Sequence, residues 1–410
     1  MNTVKRALSA EPAGSVISLW RLFYLYALIG LTGFGPTLAA ETQKRLVQNQ
    51  PWLEQRDFVN GLSLAQLLPG ATFVNLTVYI GYKLRGMAGA VTAFLALLLM
   101  PFTVMLMLSH IYFTYHSIET VGMLFRGGAV VVVGVITHSV IEVGRVTARD
   151  RIAVAVALAA AGLMSFSQSP FVALLVAALS GLLIDGRFPQ RQDGAMSEPG
   201  NRDHHNTVSV ISLWPAACLG GIFTVLWLVA PIPPVLTKLW LVFCRMGAVL
   251  FGGGLSMIPF IQQEVVVVNG WLSLDEFTVG IALSQMTPGP VLIIATFIGY
   301  KVAAISGALA ATLGMFAPSL ILVMGTAEVH ERIRNNRRVQ AALKGIAAAF
   351  TGMMTIAVID LARHTLTDLL AVSMALLAFM ALRFARLGTI TVIVFGTLLF
   401  CLLSALRSMG

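Results

Sequence analysis

Two short motifs lie where an apolar chain should not tolerate them. Gln66-Leu-Leu-Pro69-Gly70 and Gln285-Met-Thr-Pro288-Gly289-Pro290 both interrupt runs apolar enough to cross a membrane. Proline removes a backbone donor and clashes with the preceding turn, and glycine loosens what remains. Unpaired backbone is prohibitively costly in hydrocarbon, so such breaks belong inside protein or along a water-filled cavity. Each break exposes N–H groups at the positive end of a half-helix dipole, an arrangement that receives anions. Two glycine motifs, Phe34-Gly35-Pro36 and Phe251-Gly252-Gly253-Gly254, permit helix termination and close backbone approach in the same way.

Ionisable residues inside apolar runs are the third ingredient, because they are expensive and usually face a bundle interior or a pathway. Arg245 is the sharpest case, deep in its run and two residues before Gly247. Arg126 and Lys344 stand at matching helix starts, where snorkelling to the interface and a functional role are both open. Arg21 and Lys238 read as snorkelers. Glu142–Arg145 and Asp360–Arg363 are spaced to form structural salt bridges on one helix face. His138, four residues before Glu142, suggests a proton relay or two-ligand metal site only weakly, since its repeat position holds Ile356. The candidate lining is basic, glycine-rich and poor in acids. That composition suits an anion better than a cation.

The elements that must position these groups follow from composition. Of 410 residues, 57% are hydrophobic and 11% charged, against about a quarter charged in soluble domains. Lipid must be the solvent, and the reading is an all-α, polytopic membrane protein. Windows of about 20 apolar residues give thirteen spans, near 16–38, 60–82, 88–109, 123–142, 151–167, 170–185, 208–230, 235–256, 277–300, 303–325, 341–361, 366–382 and 388–406. The expected organisation is a first transmembrane repeat (1–184), a polar linker (185–207), an extra linking helix (208–234) and a second repeat (235–410). Cys218, Cys244 and Cys401 have unrelated spacings and suggest neither disulfide nor metal. His204 and His205 lie in the linker and read as solvated. The charge of +9 is a matter of loop placement, not nucleic-acid binding. Enzyme motifs such as His-Glu-x-x-His, Gly-x-Ser-x-Gly and a Walker loop are absent. No enzyme activity, cofactor or metal is expected.

The chain repeats itself. Trp52, Phe58, Gln66, Pro69 and Gly70 return 219 positions later as Trp271, Phe277, Gln285, Pro288 and Gly289. Gly30 and Phe34 return after 217 as Gly247 and Phe251, and Arg126, Gly134 and Glu142 after 218 as Lys344, Gly352 and Asp360. Seven crossings precede the second copy, so the halves should be inverted relative to each other. Loop charges place the N-terminus and linker in the cytoplasm and the C-terminus outside. One loop disagrees: Lys44, Arg45 and Arg56 fall outside. Either it is an exception or the proline-bearing segments do not fully cross.

These residues resemble the chromate ion transporter family of bacterial inner-membrane proteins. The matching pieces are FGP at Phe34, FGGG at Phe251, QLLPG at Gln66, SQMTPGP at Ser284 and ATLGMFAPS at Ala311, in order over nearly the whole chain. The first half departs from the family pattern, with Ala71 where a second proline is usual. The resemblance implies chromate efflux and chromate resistance, with sulfate as a look-alike; self-association is left open. As a site we expect backbone N–H groups near Gly70 and Gly289, side-chain amides of Gln66 and Gln285, and charge offset by Arg245 and Arg126. A sulfate importer coupled to protons or sodium is the alternative.

Overall fold

The computed structural model describes residues 17–34, 37–50, 52–115, 117–147, 150–167, 170–183, 233–250, 254–326 and 337–409. The linker 185–207 and the whole of the expected span 208–230 lie outside them. Apart from one isolated bridge between Phe34 and Gly289, the described residues contain no β-structure.

The first half begins with α1 (Leu19–Thr32), a break, and α2 (Thr37–Gln43), prolonged by a π-helical turn, Lys44–Asn49. Helix α3 (Gln55–Leu67) follows, then a second break and α4 (Thr72–Tyr115), which turns sharply at Arg85 and Gly86. Next come α5 (Glu119–Thr147), α6 (Arg151–Ser167) and α7 (Pro170–Leu183). The second half copies this plan: α8 (Pro234–Val249), α9 (Ile258–Gln262) between a 3-10 turn at Gly254–Met257 and a π-turn at Gln263–Val268, and α10 (Leu274–Met286). A 3-10 turn (Val291–Ile293) leads into α11 (Ile294–Thr326), which turns at Ala303 and Ala304. Helices α12 (Arg337–Thr365), α13 (Leu369–Arg383) and α14 (Thr389–Met409) complete the chain.

The runs 60–82 and 277–300 do not cross as single spans. Lys83 Nζ lies 3.1 Å from Asp57, and Lys301 Nζ lies 2.7 Å from Glu276. On an unbroken helix, 26 residues at about 1.5 Å each would hold the first pair roughly 39 Å apart. A Cβ at Gly61 would collide with the Tyr79 ring, and one at Gly280 would press on Phe297. Both segments are therefore re-entrant hairpins, in at one end of the molecule and out at the same end, with Pro69-Gly70 and Pro288-Gly289 at their tips. The segments before them also fold back. Gln43 donates a hydrogen bond to Gln55, and Trp271 stacks on Phe243, six residues before α8 ends at Val249. Lys44 and Arg56 thus join Lys83 and Arg85 towards one end, while Arg45 reaches back to Thr32 at the inner end of α1, and most of the charge exception is removed.

After each hairpin the chain reverses once more. Gly81 packs on the Gly89 carbonyl, and its repeat mate Gly299 packs on that of Gly307. The outgoing stretch 87–115, about 43 Å long at 1.5 Å per residue, is sufficient to span the bilayer. At one end Arg85 donates to the Ile17 carbonyl at 2.6 Å. At the other, His110 and Tyr300 are bonded at 2.8 Å, beside Lys301 over the Phe113 ring. The corresponding turns of the halves therefore lie at opposite ends, as an inverted repeat requires.

The closing helices are exchanged between halves. Gly134 of α5 meets the Ala375 carbonyl of α13, and Gly352 of α12 meets the Ala157 carbonyl of α6; both pairs correspond at a shift of 218. Missing side chains at these glycines let the backbones touch, the usual device for helix association where lipid removes the hydrophobic drive. Among the described residues, five helical stretches are long and apolar enough to cross a membrane, and the shorter apolar helices α6, α7 and α13 pack against them. Of the two expected salt bridges, Glu142–Arg145 forms at 3.0 Å; the Asp360–Arg363 pair is not found among the described residues. His138 packs edge-on to Phe379. Described His, Cys, Asp and Glu residues nowhere gather in a group that would hold a metal.

Candidate functional site at the converging helix breaks

Each hairpin tip is tied to the break of the other half. Gly70 N–H donates to the Leu250 carbonyl at 2.7 Å, and Gly289 N–H donates to the Gly33 carbonyl at 2.8 Å. Residues 33 and 250 correspond at a shift of 217, and 70 and 289 at 219. The two bonds are therefore images of one another across the pseudo-twofold axis. Gly70 (φ +116°) and Gly289 (φ +102°) both sit where L side chains are strained. Space forbids a side chain as well: a Cβ at Gly289 would strike the Pro101 ring, and one at Gly70 would strike Ser319 Oγ.

Asn75 secures the first tip. It is fully buried, and its Nδ2 donates to the carbonyls of Ala65, Leu68 and Pro69 at 3.3–3.4 Å. Those carbonyls are orphaned where α3 ends, so one side-chain amide satisfies what the proline break exposes. The second tip has Ile294 at the matching position and relies on a capping box at the far end of its hairpin. There Ser273 Oγ accepts from Glu276 N–H while Glu276 accepts from Ser273 N–H.

Where the four breaks meet lies a cavity of about 350 Å³ lined by, among others, Ala39, Gln66, Thr72, Ser256 and Pro290. At about 30 Å³ per water it holds on the order of ten waters, enough for a tetrahedral oxyanion with part of its hydration shell. Four helical segments begin at its wall, at Thr37, Thr72, Gly254 and Val291. Each helix start carries about half a positive charge and unpaired N–H groups. Gln66, Thr72 and Ser256 supply polar side chains. Its described lining contains no Arg, Lys, His, Asp or Glu. The electrostatics of the site are those of aligned peptide dipoles.

The expected site residues divide accordingly. Phe34, Gln66, Pro69, Gly70, Gly254, Gln285, Pro288, Gly289 and Pro290 lie at the breaks or in the helix ends that lead to them. Gly35, Pro36, Phe251, Gly252 and Gly253 lie outside the described residues. Arg126, Arg245 and Lys344 are not brought to the cavity. Arg126 bonds Thr367 and Asp368 at 3.1 and 3.3 Å, beside a second cavity of about 390 Å³ that Asp275, Val279 and His364 also line. Arg245 pairs with the buried carboxylate of Glu264 and lies over the Phe171 ring, 4.4 Å from its centroid. Lys344 is exposed on α12, next to the contact of Gly345 with Ala177. Sequence reasoning passed over Thr72, Ser256, Asn75 and Glu264. Glu264, a lone acid in the otherwise uncharged run IQQEVVVV, was the discoverable one.

A family model described as Chromate transporter matches residues 20–182 and 237–401, one stretch in each half. An uncharacterised transporter of Methanocaldococcus jannaschii is 29% identical over 82% of this chain and 83% of its own length. The chromate transport protein of Cupriavidus metallidurans is 28% identical over 92% of each chain. That of Pseudomonas aeruginosa is 29% identical over 87% of this chain and 84% of its own. No solved structure matches the chain. With both repeats covered and the helix breaks in register, the chain belongs to the chromate transporter family.

Proposed function

We propose that the chain is a secondary transporter that exports chromate from the cytoplasm of a bacterium across its inner membrane, and so confers chromate resistance. One observation carries this reading: four helix starts converge on a cavity whose described lining carries no carboxylate, tied together by reciprocal bonds between inverted halves. Fixed dipoles and neutral donors attract a dianion without clamping it, so it can leave again. A guanidinium in the cavity would hold it far more tightly. Relatives of similar length bear the name chromate transport protein, which supports the choice of oxyanion.

Direction follows from charge. Lys44, Arg56, Lys83, Arg85 and Arg145 crowd one end, and basic loops stay in the cytoplasm. The cavity's side walls, Leu62 and Val143, belong to that end, so chromate is loaded from the cytoplasm. The C-terminus then lies outside, since α14 runs from Gly396 beside Val131 to Phe400 beside Gly127, towards the start of α5. One charge moving through 100 mV is worth about 2.3 kcal/mol, so an exported dianion gains roughly 4.6 kcal/mol. At about 1.4 kcal/mol per tenfold, that sustains a gradient of about 10³.

Purified protein in liposomes tests this directly. With an imposed potential, negative on the cytoplasmic face, chromate should leave that face and the flux should reverse with the potential. Flux that ignores the potential but follows a proton or sodium gradient would overturn it in favour of coupled oxyanion uptake. Sulfate is to be run in parallel, because the cavity offers no feature that separates two tetrahedral dianions.

A further inference from the structure

The central cavity sits on the axis relating the halves, but its walls do not obey that symmetry. Ala71–Phe73 and Pro290–Leu292 correspond at a shift of 219, and both line it. Leu38–Ala39 and Leu255–Ser256, which correspond at a shift of 217, also line it from both halves, but Leu62, Gln66 and Val143 line it from the first half alone. The second-half counterparts of these three are Ile281, Gln285 and Leu361. These are packed shut, with Ile281 and Leu361 at 1% and 0% exposure. The two glutamines differ most tellingly. Gln66 is exposed, whereas Gln285 Nε2 is buried and has no hydrogen-bond partner. A buried donor without an acceptor is unfavourable, and here it lies three residues before its own tip, at the place where its twin stands in open space.

The shut layer is thin. From the other end, the cavity beside Arg126 reaches Val279, about 9 Å along α10 from Gln285 at 1.5 Å per residue. We propose that the molecule holds a second, pseudo-symmetric substrate pathway, closed in this conformation, in which Ile281 and Leu361 become walls and Gln285 Nε2 becomes a donor to the oxyanion. The halves exchange roles as the cycle turns. While the first half lines an open cavity the second is packed, and the reverse arrangement needs no new structure, only the second half in the first half's conformation. The identity of the ligand rests on the transport reading; the geometry of the closed pathway does not.

Single cysteines test it, in protein whose Cys218, Cys244 and Cys401 are replaced by serine. Leu62→Cys and Ile281→Cys are exposed to a membrane-impermeant maleimide in right-side-out and inside-out vesicles. Leu62→Cys should label from the Arg85 end and Ile281→Cys from the opposite end, and saturating chromate should change the two rates several-fold in opposite directions. Leu361→Cys carries the same test if Ile281→Cys fails to accumulate. Chromate flux with both second-half positions unlabelled from the far end would overturn the closed pathway. Sided labelling without chromate flux or chromate response would leave the pathway standing and sink the choice of chromate.

Discussion

The two hairpin tips are built on one plan from different materials. At the second, Gly289 is pressed against the ring of Pro101, and the neighbouring helix start is hydrophobic, with Ile293 and Ile294 buried. At the first, Gly70 faces Ser319 Oγ and Asn75 Oδ1, two buried oxygens without hydrogen-bond partners. Pro101 and Ser319 are repeat mates at a shift of 218, so each tip rests on the same place in the opposite half. Rigid ring carbons hold one tip. Rotatable polar groups surround the other. The difference teaches that duplicated sequence can preserve a backbone while assigning its copies unequal freedom: the second tip is wedged, and the first is free to shift at the cost of one bond to Leu250.

Substitutions at the tips should break this comparison most forcefully. Gly289→Ala combines a left-handed alanine, about 1–2 kcal/mol, with overpacking against a ring, about 1–3 kcal/mol. It should abolish flux in liposomes and lower the unfolding temperature in detergent. Gly70→Ala should cost less, because the Ser319 hydroxyl can rotate away, and Ser319→Gly should restore part of its activity. Equal damage at both glycines, with no rescue, would show the tips to be equally rigid.

A middle-sized effect sharpens the same contrast. Asn75→Ile gives the first tip the residue type of the second and strands three carbonyls that Nδ2 now serves. The loss should be about 1–3 kcal/mol, at the lower end because the unpartnered Oδ1 goes too, and thermal unfolding will register it. The smallest effects belong to the hairpin mouths. Lys83→Met and Lys301→Met each remove an exposed ion pair worth about 0.2–1 kcal/mol. Lys301 should matter more, having the shorter bond to a less exposed acid and an aromatic face 5.0 Å away.

Much of this architecture was readable before any coordinates. Duplication at shifts of 217 to 219 announced inverted halves, and Gln-x-x-Pro-Gly marked the breaks that converge. Re-entry stood as one of two open readings and was not decided, for a physical reason. A hydropathy window counts apolar residues, and two half-helices in a hairpin present the same count as one rod. The signal lay in the charges instead. Asp57 with Lys83, and Glu276 with Lys301, bracket each segment with opposite signs, and the misplaced Lys44 and Arg56 pointed the same way. Arg245 misled for a related reason. The cost of an intramembrane charge says that it has a partner or a pathway, not which, and its partner Glu264 sat in a stretch read as a loop. Thr72 and Ser256 carry no signature in sequence; only the meeting of four helix starts singles them out.

The exchange of closing helices has a consequence for how the chain matures. Helix α5 leaves the ribosome long before Ala375 and Phe400, the neighbours against which Gly134 and Gly127 are shaped. Until the last stretch is inserted, that surface has only acyl chains for company. Assembly must wait on contacts separated by more than two hundred residues, which makes it slow and non-local. A truncation removing only α13 and α14 would therefore injure the N-terminal half, far from the cut in sequence.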